Sequence, residues 1–321
     1  MTTTKADTSA SHKEQLSRPN LVRQVRGLAL LTAIAISLHV VLPPQASAAQ
    51  QQNASAPGTP SSLLGAPPRA LIADVAANEV RAIRHPDSYL RYRMHTLDEK
   101  GDRVRDIIES RDGAVARLIL KDGKPLTEEE DQAERARLND MIASPSVFAR
   151  HAHTDQTGKK LATDLIQLMP DAMLYTYSPG QPQIESPNGP HQVVLDYTPN
   201  PGWSPPNTTA EALTGLQGRM WIDAKTHNLL RMEGTVFRTV NFGWGMLAHV
   251  YPGGKLALDQ TTVGGNRLIF TRFVEHVKVR ALLLKTLDVN ATIEASAFQT
   301  LPRPLTFQDA TRLLLQTRPN P

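Results

Sequence analysis

Between Leu282 and Phe298 the chain alternates apolar and polar residues almost without a break. Leu283, Leu287, Val289, Ala291, Ile293, Ala295 and Ala297 fall on one side. Leu284, Thr286, Asp288, Asn290, Thr292, Glu294 and Ser296 fall on the other, and Lys285 alone interrupts the apolar series. A period of two over this length predicts one β-strand with a dry face and a wet face, running roughly 50 Å at about 3.3 Å per residue. Ordinary strands reach about 17–20 Å, so this one is expected to twist and curl. Similar segments precede it at Leu216–Asp223, Leu229–Val240, Leu247–Thr262 and Arg267–Arg280. Their turns are marked by Lys225-Thr226-His227-Asn228, Phe242-Gly243-Trp244-Gly245 and Gly264-Gly265-Asn266.

Upstream the period changes. Leu71, Ile72, Val75, Val80 and Ile83 recur at helical spacing, predicting an amphipathic helix over Ala70–Ile83 that ends before Pro86. Strands are predicted at Tyr89–Leu97, Arg103–Arg111 and Ala114–Leu120, the last two joined as a hairpin through Asp112-Gly113. Thr127 and Glu130 form a capping box for a charged, mostly solvated helix through about Met141. A second helix over Lys159–Leu168, with Leu161, Leu165, Ile166 and Leu168, is better suited to burial and is expected to stop at Pro170. Strands resume at Met173–Tyr177 and His191–Thr198, flanked by the Pro-rich loops Ser178–Pro190 and Pro199–Asn207, which cannot continue a ladder. No internal repeat and no break separates Ala70 from Phe298. The pattern predicts an α+β, mainly antiparallel fold over residues 69–300: a curved, incomplete (half) β-barrel with helices covering its concave face, followed by a tail at 301–321 with one short helix over Phe307–Leu315.

The first residues read differently. Arg18, Arg23 and Arg26 precede an apolar run from Gly27 to Leu42 and then Pro43-Pro44 and a small-residue stretch, the layout of a secretory signal over residues 1–49 cleaved near Ala48 or Ala49. The run is short for a span of about 20 residues, and no second one follows, so no transmembrane segment is expected in the mature chain. Residues 50–68, rich in Pro, Ser, Ala and Gln, read as a disordered linker. The chain has no cysteine, which excludes thiol catalysis, disulfides, Cys-ligated zinc and a lipid-anchoring cysteine. Its formal charge is +4, most of it in the signal. With no basic run interleaved with aromatics, nucleic acid is not an expected partner.

Reaction signatures are sparse. His151, His153 and Asp155 are the only cluster of metal-ligand types, but two His at i and i+2 meet one ion only on a strand or tight loop, and no third ligand stands at a diagnostic spacing. A solvated loop is expected there, and neither a metal nor a cofactor. Gly158-Lys159-Lys160 lacks the upstream glycine of a phosphate loop and reads as a basic helix start. Asp223, Glu233, Asp259, Glu275, Asp288 and Glu294 are expected mostly on the solvated face of their strands. No catalytic residue is assigned. Leu230, Met232 and Val236 alternate on one side of their strand, Ile269, Phe273 and Val277 on one side of theirs, and Leu287 and Val289 on one side of the last. Long curled strands enclose more apolar surface than two modest helices fill, so these eight residues are the expected lining of an internal apolar cavity.

Several segments carry a family resemblance: Gly218-Arg219-Met220-Trp221-Ile222-Asp223, Leu230-Arg231-Met232-Glu233-Gly234, Gly253-Gly254-Lys255 and Val279-Arg280-Ala281-Leu282-Leu283. Over Gly218–Phe298 the chain resembles the outer-membrane lipoprotein-sorting superfamily of periplasmic lipoprotein carriers and outer-membrane lipoprotein receptors. The resemblance implies an incomplete barrel closed by helices around a cavity for acyl chains. The expectation is a periplasmic, non-enzymatic protein whose ligand is a lipid or an acylated protein, moved between envelope layers with the help of envelope partners. The competing expectations are an envelope scaffold that binds through its rim loops, and a metal-dependent hydrolase built on His151, His153 and Asp155.

Overall fold

The computed structural model describes residues 67–179, 191–243, 247–281 and 285–316. The expected signal, nearly all of the expected linker, most of the Ser178–Pro190 loop, Trp244-Gly245 and Leu282–Leu284 lie outside them. In chain order the elements are α1 (Pro68–Arg84), β1 (Leu90–Asp98), β2 (Gly101–Ile108), β3 (Val115–Lys121), β4 (Lys124–Pro125), α2 (Glu128–Ala143), α3 (Pro145–Ala172), β5 (Met173–Tyr177), β6 (Gln192–Pro199), a 3₁₀ segment (Thr209–Gly215), β7 (Leu216–Asp223), β8 (Leu229–Val236), β9 (Val240–Phe242), β10 (Ala248–Val250), β11 (Lys255–Val263), β12 (Arg267–Ala281), β13 (Lys285–Thr300) and α4 (Phe307–Gln316).

The strands form one antiparallel sheet in the order β4-β3-β2-β1-β13-β12-β11-β8-β7-β6-β5, with β9 and β10 attached beside β12. It does not close: β4 and β5 are its two ends. The expected alternation along β13 holds, with Ala291, Ile293 and Ala295 buried between half-buried or exposed neighbours, until a bulge opposite Tyr92. There Ala297 adopts φ +54° and is exposed, and Phe298 takes the inward place against Tyr92, ring centroids 5.7 Å apart. Further bulges interrupt the β2–β3, β7–β8 and β11–β12 pairings. Each adds a residue to one strand and sharpens its bend.

Two apolar clusters hold the layers. The larger joins Leu71, Ile72 and Val75 of α1 and Leu165, Met169 and Ala172 of α3 to strand residues from β1 to β13. The smaller joins Ile108 and Val115 to Leu138 and Met141 of α2, Phe148 and Ala152 of α3, and Phe307, Ala310 and Leu314 of α4. Residues 301–316, expected as a tail, thus bring α4 into the second cluster, where Phe307 stacks on Phe148 at 4.1 Å. Arg117, almost fully buried beneath α2 and α4, donates to the Leu314 carbonyl at 2.7 Å and to Asp131 at 2.6 Å. Among the described residues no helix is long and apolar enough to cross a membrane.

Several boundaries differ from expectation. The Leu229–Val240 strand stops at Val236: the Phe237 N–H still bonds to the Gly215 carbonyl, but Gly215 closes the 3₁₀ segment and β7 offers no strand partner beyond it. Leu247–Thr262 is split into β10 and β11 by a turn at Pro252-Gly253, where Gly253 has φ +91°. The largest difference is α3, which starts at Pro145 and absorbs the expected solvated loop. Pro145 suits the first helical turn, and Phe148 and Ala152 give that half a buried face. Pro170 does not stop the helix; a proline in the last turn removes a single backbone bond.

The solvated face of the sheet carries a ribbon of alternating charge set by strand register. Asp196 meets Arg219 at 2.6 Å, and Arg219 lies opposite Glu233, which pairs with Arg231. Arg231 meets Asp259 at 3.4 Å, and Arg272 stands between Asp259 at 3.9 Å and Glu294 at 3.6 Å. His95 continues the row between Glu294 and Asp102, 2.7 Å away.

On the other face, Gly218 and Gly234 are register partners and the phenol of Tyr197 crosses them, donating to the Glu233 carbonyl at 2.9 Å. A Cβ on Gly218 would lie 1.9 Å from that same carbonyl oxygen, which is backbone and cannot swing aside. Gly218→Ala is expected to destabilise the protein by about 3 kcal/mol or more. Gly234→Ala, facing side-chain atoms of Leu216 and Tyr197 instead, should cost less. Urea unfolding of the two variants checks the order.

Candidate functional site

An apolar cavity of about 70 Å³ lies between the helices and the sheet. α1 contributes Ile72, Val75, Ala76, Glu79 and Ile83, and α3 contributes Leu165, Ile166 and Met169. Ala212 and Leu213 of the 3₁₀ segment, Leu216 and Met220 of β7, Leu229 and Met232 of β8, and Leu258 and Gln260 of β11 complete the wall. Three of these are methionines, whose flexible thioethers adapt to irregular shapes.

The wall is apolar except for Glu79 and Gln260. Glu79 occupies the core stripe of α1 at the helical spacing set by Ile72, Val75, Ala76 and Ile83. Its Oε2 accepts from Gln260 Nε2 at 3.1 Å, while Glu79 Oε1 and Gln260 Oε1 have no hydrogen-bond partner. Burial pushes the Glu79 carboxyl up to about 7, against the lowering pull of the Gln260 amide and the Leu229 backbone.

α1 is fixed around this cavity by polar contacts at its margins. Asn78 donates to the Thr226 carbonyl at 2.9 Å, Asp74 meets His227 at 3.0 Å, and Arg69 pairs with Asp171 at the end of α3. Near its last turn, Arg267 donates to the Ala82 carbonyl at 3.2 Å. The same guanidinium pairs with Glu109 at 2.9 Å, both side chains about 95% buried, and Glu109 accepts from the Leu90 N–H at 2.9 Å. Burial pushes the Glu109 carboxyl up, opposed by Arg267 and the Leu90 N–H. Lys159 and Asp155, one turn apart on α3, are buried beside this pair. Desolvation lowers Lys159 to about 7 and raises Asp155.

The eight residues expected to line a cavity divide. Met232 lines the cavity described here. Val236, Ile269, Phe273 and Val277 are buried in the large cluster, and Val289 packs partly exposed against it. Leu287 is half-buried. Leu230 is the extra residue of the β7–β8 bulge, so Leu229 takes the inward place and Leu230 is left half-buried. Glu275, expected on the solvated face, is fully buried. It shares the inward side of β12 with Phe273 and Val277, two residues away on either side.

His151, His153 and Asp155 lie on α3, where residues i and i+2 point roughly 200° apart. His151 approaches Asp155 at 3.8 Å, whereas His153 is exposed in another direction. The pair of histidines therefore cannot meet one ion. Among the described residues no group of three His, Cys, Asp or Glu is placed to hold a metal. Lys159, expected at a helix start, lies in mid-helix and buried.

No protein-family model, curated protein or solved structure matches the chain.

Two outcomes follow from the buried charges. Because the folded state holds the Glu79 proton more tightly than the unfolded chain, this group's contribution to stability is full below about pH 4.5 and is lost as pH rises through about 7. Glu79→Gln should accordingly be near neutral at pH 4.5 and stabilising by up to about 3 kcal/mol at pH 8, measured by urea unfolding at both pH values. Arg267→Met leaves Glu109 buried with its cation removed and should cost about 3–5 kcal/mol. Adding Glu109→Leu should recover most of that loss in the same assay.

Proposed function

We propose that this chain is an exported, periplasmic, non-enzymatic protein that binds a lipid or the acyl chain of a lipoprotein and moves it between envelope layers. On this reading the sheet is a half-barrel, and α1 and α3 are the cover over its concave face. The observation that carries the proposal is the methionine-lined apolar cavity beneath the two helices, with unfilled volume and two unsatisfied acceptor atoms. A well-packed core has few voids larger than a water molecule and few such atoms. The Gly218–Asp223 and Leu230–Gly234 segments, which resemble the lipoprotein-sorting superfamily, supply the wall opposite α1 and α3 through Met220 and Met232.

At about 70 Å³ the cavity is well below the roughly 300 Å³ at which ligand pockets begin. An acyl chain therefore enters only when α1 and α3 move outward from β7, β8 and β11. Those contacts run through side chains, some of them to backbone groups as Asn78 does at Thr226, so parting them breaks no sheet ladder.

The test uses the mature chain purified from its own envelope. Native mass spectrometry should find co-purified lipid, and the stripped protein should bind the apolar dye N-phenyl-1-naphthylamine with enhanced fluorescence. Met232→Trp, which fills the cavity, should weaken dye binding about tenfold or more while leaving the circular dichroism spectrum unchanged. Absence of both lipid and dye binding in the wild type would overturn the reading.

A further inference from the structure

Within that cavity, Glu79 and Gln260 have a chemistry that a purely apolar ligand would leave unused. Both side chains are more than nine-tenths buried and hydrogen-bonded to each other, yet each keeps one oxygen without a partner. A buried acceptor left unpaired has given up its hydrogen bonds to water with nothing in return. Every other lining side chain is apolar, and the one further donor that acts on the Glu79 carboxyl, the Leu229 backbone N–H, leaves Oε1 without a hydrogen bond.

We propose that Glu79 and Gln260 recognise the polar head of an amphiphile: an aliphatic chain ending in an uncharged hydrogen-bond donor, a hydroxyl or an amide N–H. This rests on the reading of the cavity as a ligand site and adds the class of ligand. A hydroxyl or amide hydrogen reaching Glu79 Oε1 satisfies the open acceptor and leaves the Gln260 bond intact. A carboxylate head offers only acceptors, and at a pH above about 7, where Glu79 is ionised, it would set a second anion beside that residue in an apolar enclosure with no cation in its wall. An alkylammonium head has the donor but must shed its hydration among carbon and sulfur atoms, with a single carboxylate as compensation. The neutral donor is the head that matches both the open oxygens and the apolar wall. Exchanging the amide oxygen and nitrogen of Gln260 leaves Glu79 Oε1 an acceptor, so the requirement for a donor does not depend on that assignment.

The experiment is displacement of N-phenyl-1-naphthylamine from the stripped mature chain at pH 8.5, where Glu79 is ionised, by three ligands of equal chain length: dodecan-1-ol, dodecanamide and dodecanoate. In the wild type the alcohol and the amide should displace the dye at concentrations at least tenfold below that of dodecanoate. In the Glu79→Leu/Gln260→Leu double variant, dye binding should persist and the three ligands should compete within about twofold of one another. Should the double variant fail to fold, Glu79→Gln serves. Its amide removes the charge and can donate to a carboxylate, so dodecanoate should come within about threefold of dodecan-1-ol. Equal competition by the three ligands in the wild type, or discrimination that survives in either variant, would overturn the assignment while leaving the cavity a ligand site. A wild type that binds neither the dye nor any of the three chains would instead overturn the ligand-site reading itself.

Discussion

The buried ion pair between Arg267 and Glu109 fixes where the helices meet the sheet. Its two residues are 158 positions apart, yet together they fasten the end of β2, the first N–H of β1, the start of β12 and the last turn of α1. Removing two charges from water is costly, and the cost is recovered only when geometry and the additional hydrogen bonds are right. An alternative seating of α1 would leave that cost uncompensated. The pair thus selects one arrangement more than it strengthens it, and with Lys159 close by it extends that selection to the middle of α3.

The two faces of the sheet obey different physics. On the solvated face the ion-pair ribbon from Asp196 to Asp102 is largely exposed, and each such pair contributes little to stability. Its effect is on register, because a slip of one strand would place apolar residues in this row and charges in the core. The inner face has no comparable tolerance. There Gly218 and Gly234 leave room for the Tyr197 ring, and a single methyl group is too much. The inner surface is therefore specified by volume, and the outer one by charge.

Much of the fold was legible in the sequence because strand and helix periods are local. Met173–Tyr177 and Leu216–Asp223 appear with the expected ends, and the Thr127–Glu130 capping box forms as its spacing implies. What escaped was decided by distant partners. A bulge is a property of two strands, so Leu230 and Ala297 were assigned to the inner side by a period that the ladder breaks. The first half of α3 is polar in sequence and becomes helical because Phe148 finds Phe307, far along the chain. Glu79 and Glu275 were hidden by their charge alone. Both stand at positions that the apolar pattern reserves for the core, Glu79 on the Ile72–Ile83 stripe and Glu275 between Phe273 and Val277. A carboxylate in register with a buried series is itself the signal that could have revealed the site.

The length of α3 has a mechanical meaning. Its 28 residues make a rod of about 42 Å, whose far half roofs the cavity while its near half is embedded among α2, α4 and β3. A stiff lever cannot be raised at one arm without turning the other. The fulcrum falls near Asp155 and Lys159, where the rod passes the buried charges. Any tilt of α3 at Leu165 and Met169 would therefore be carried to Phe148 and to Phe307 stacked on it, so that α4 shares in the seating of the helix over the cavity.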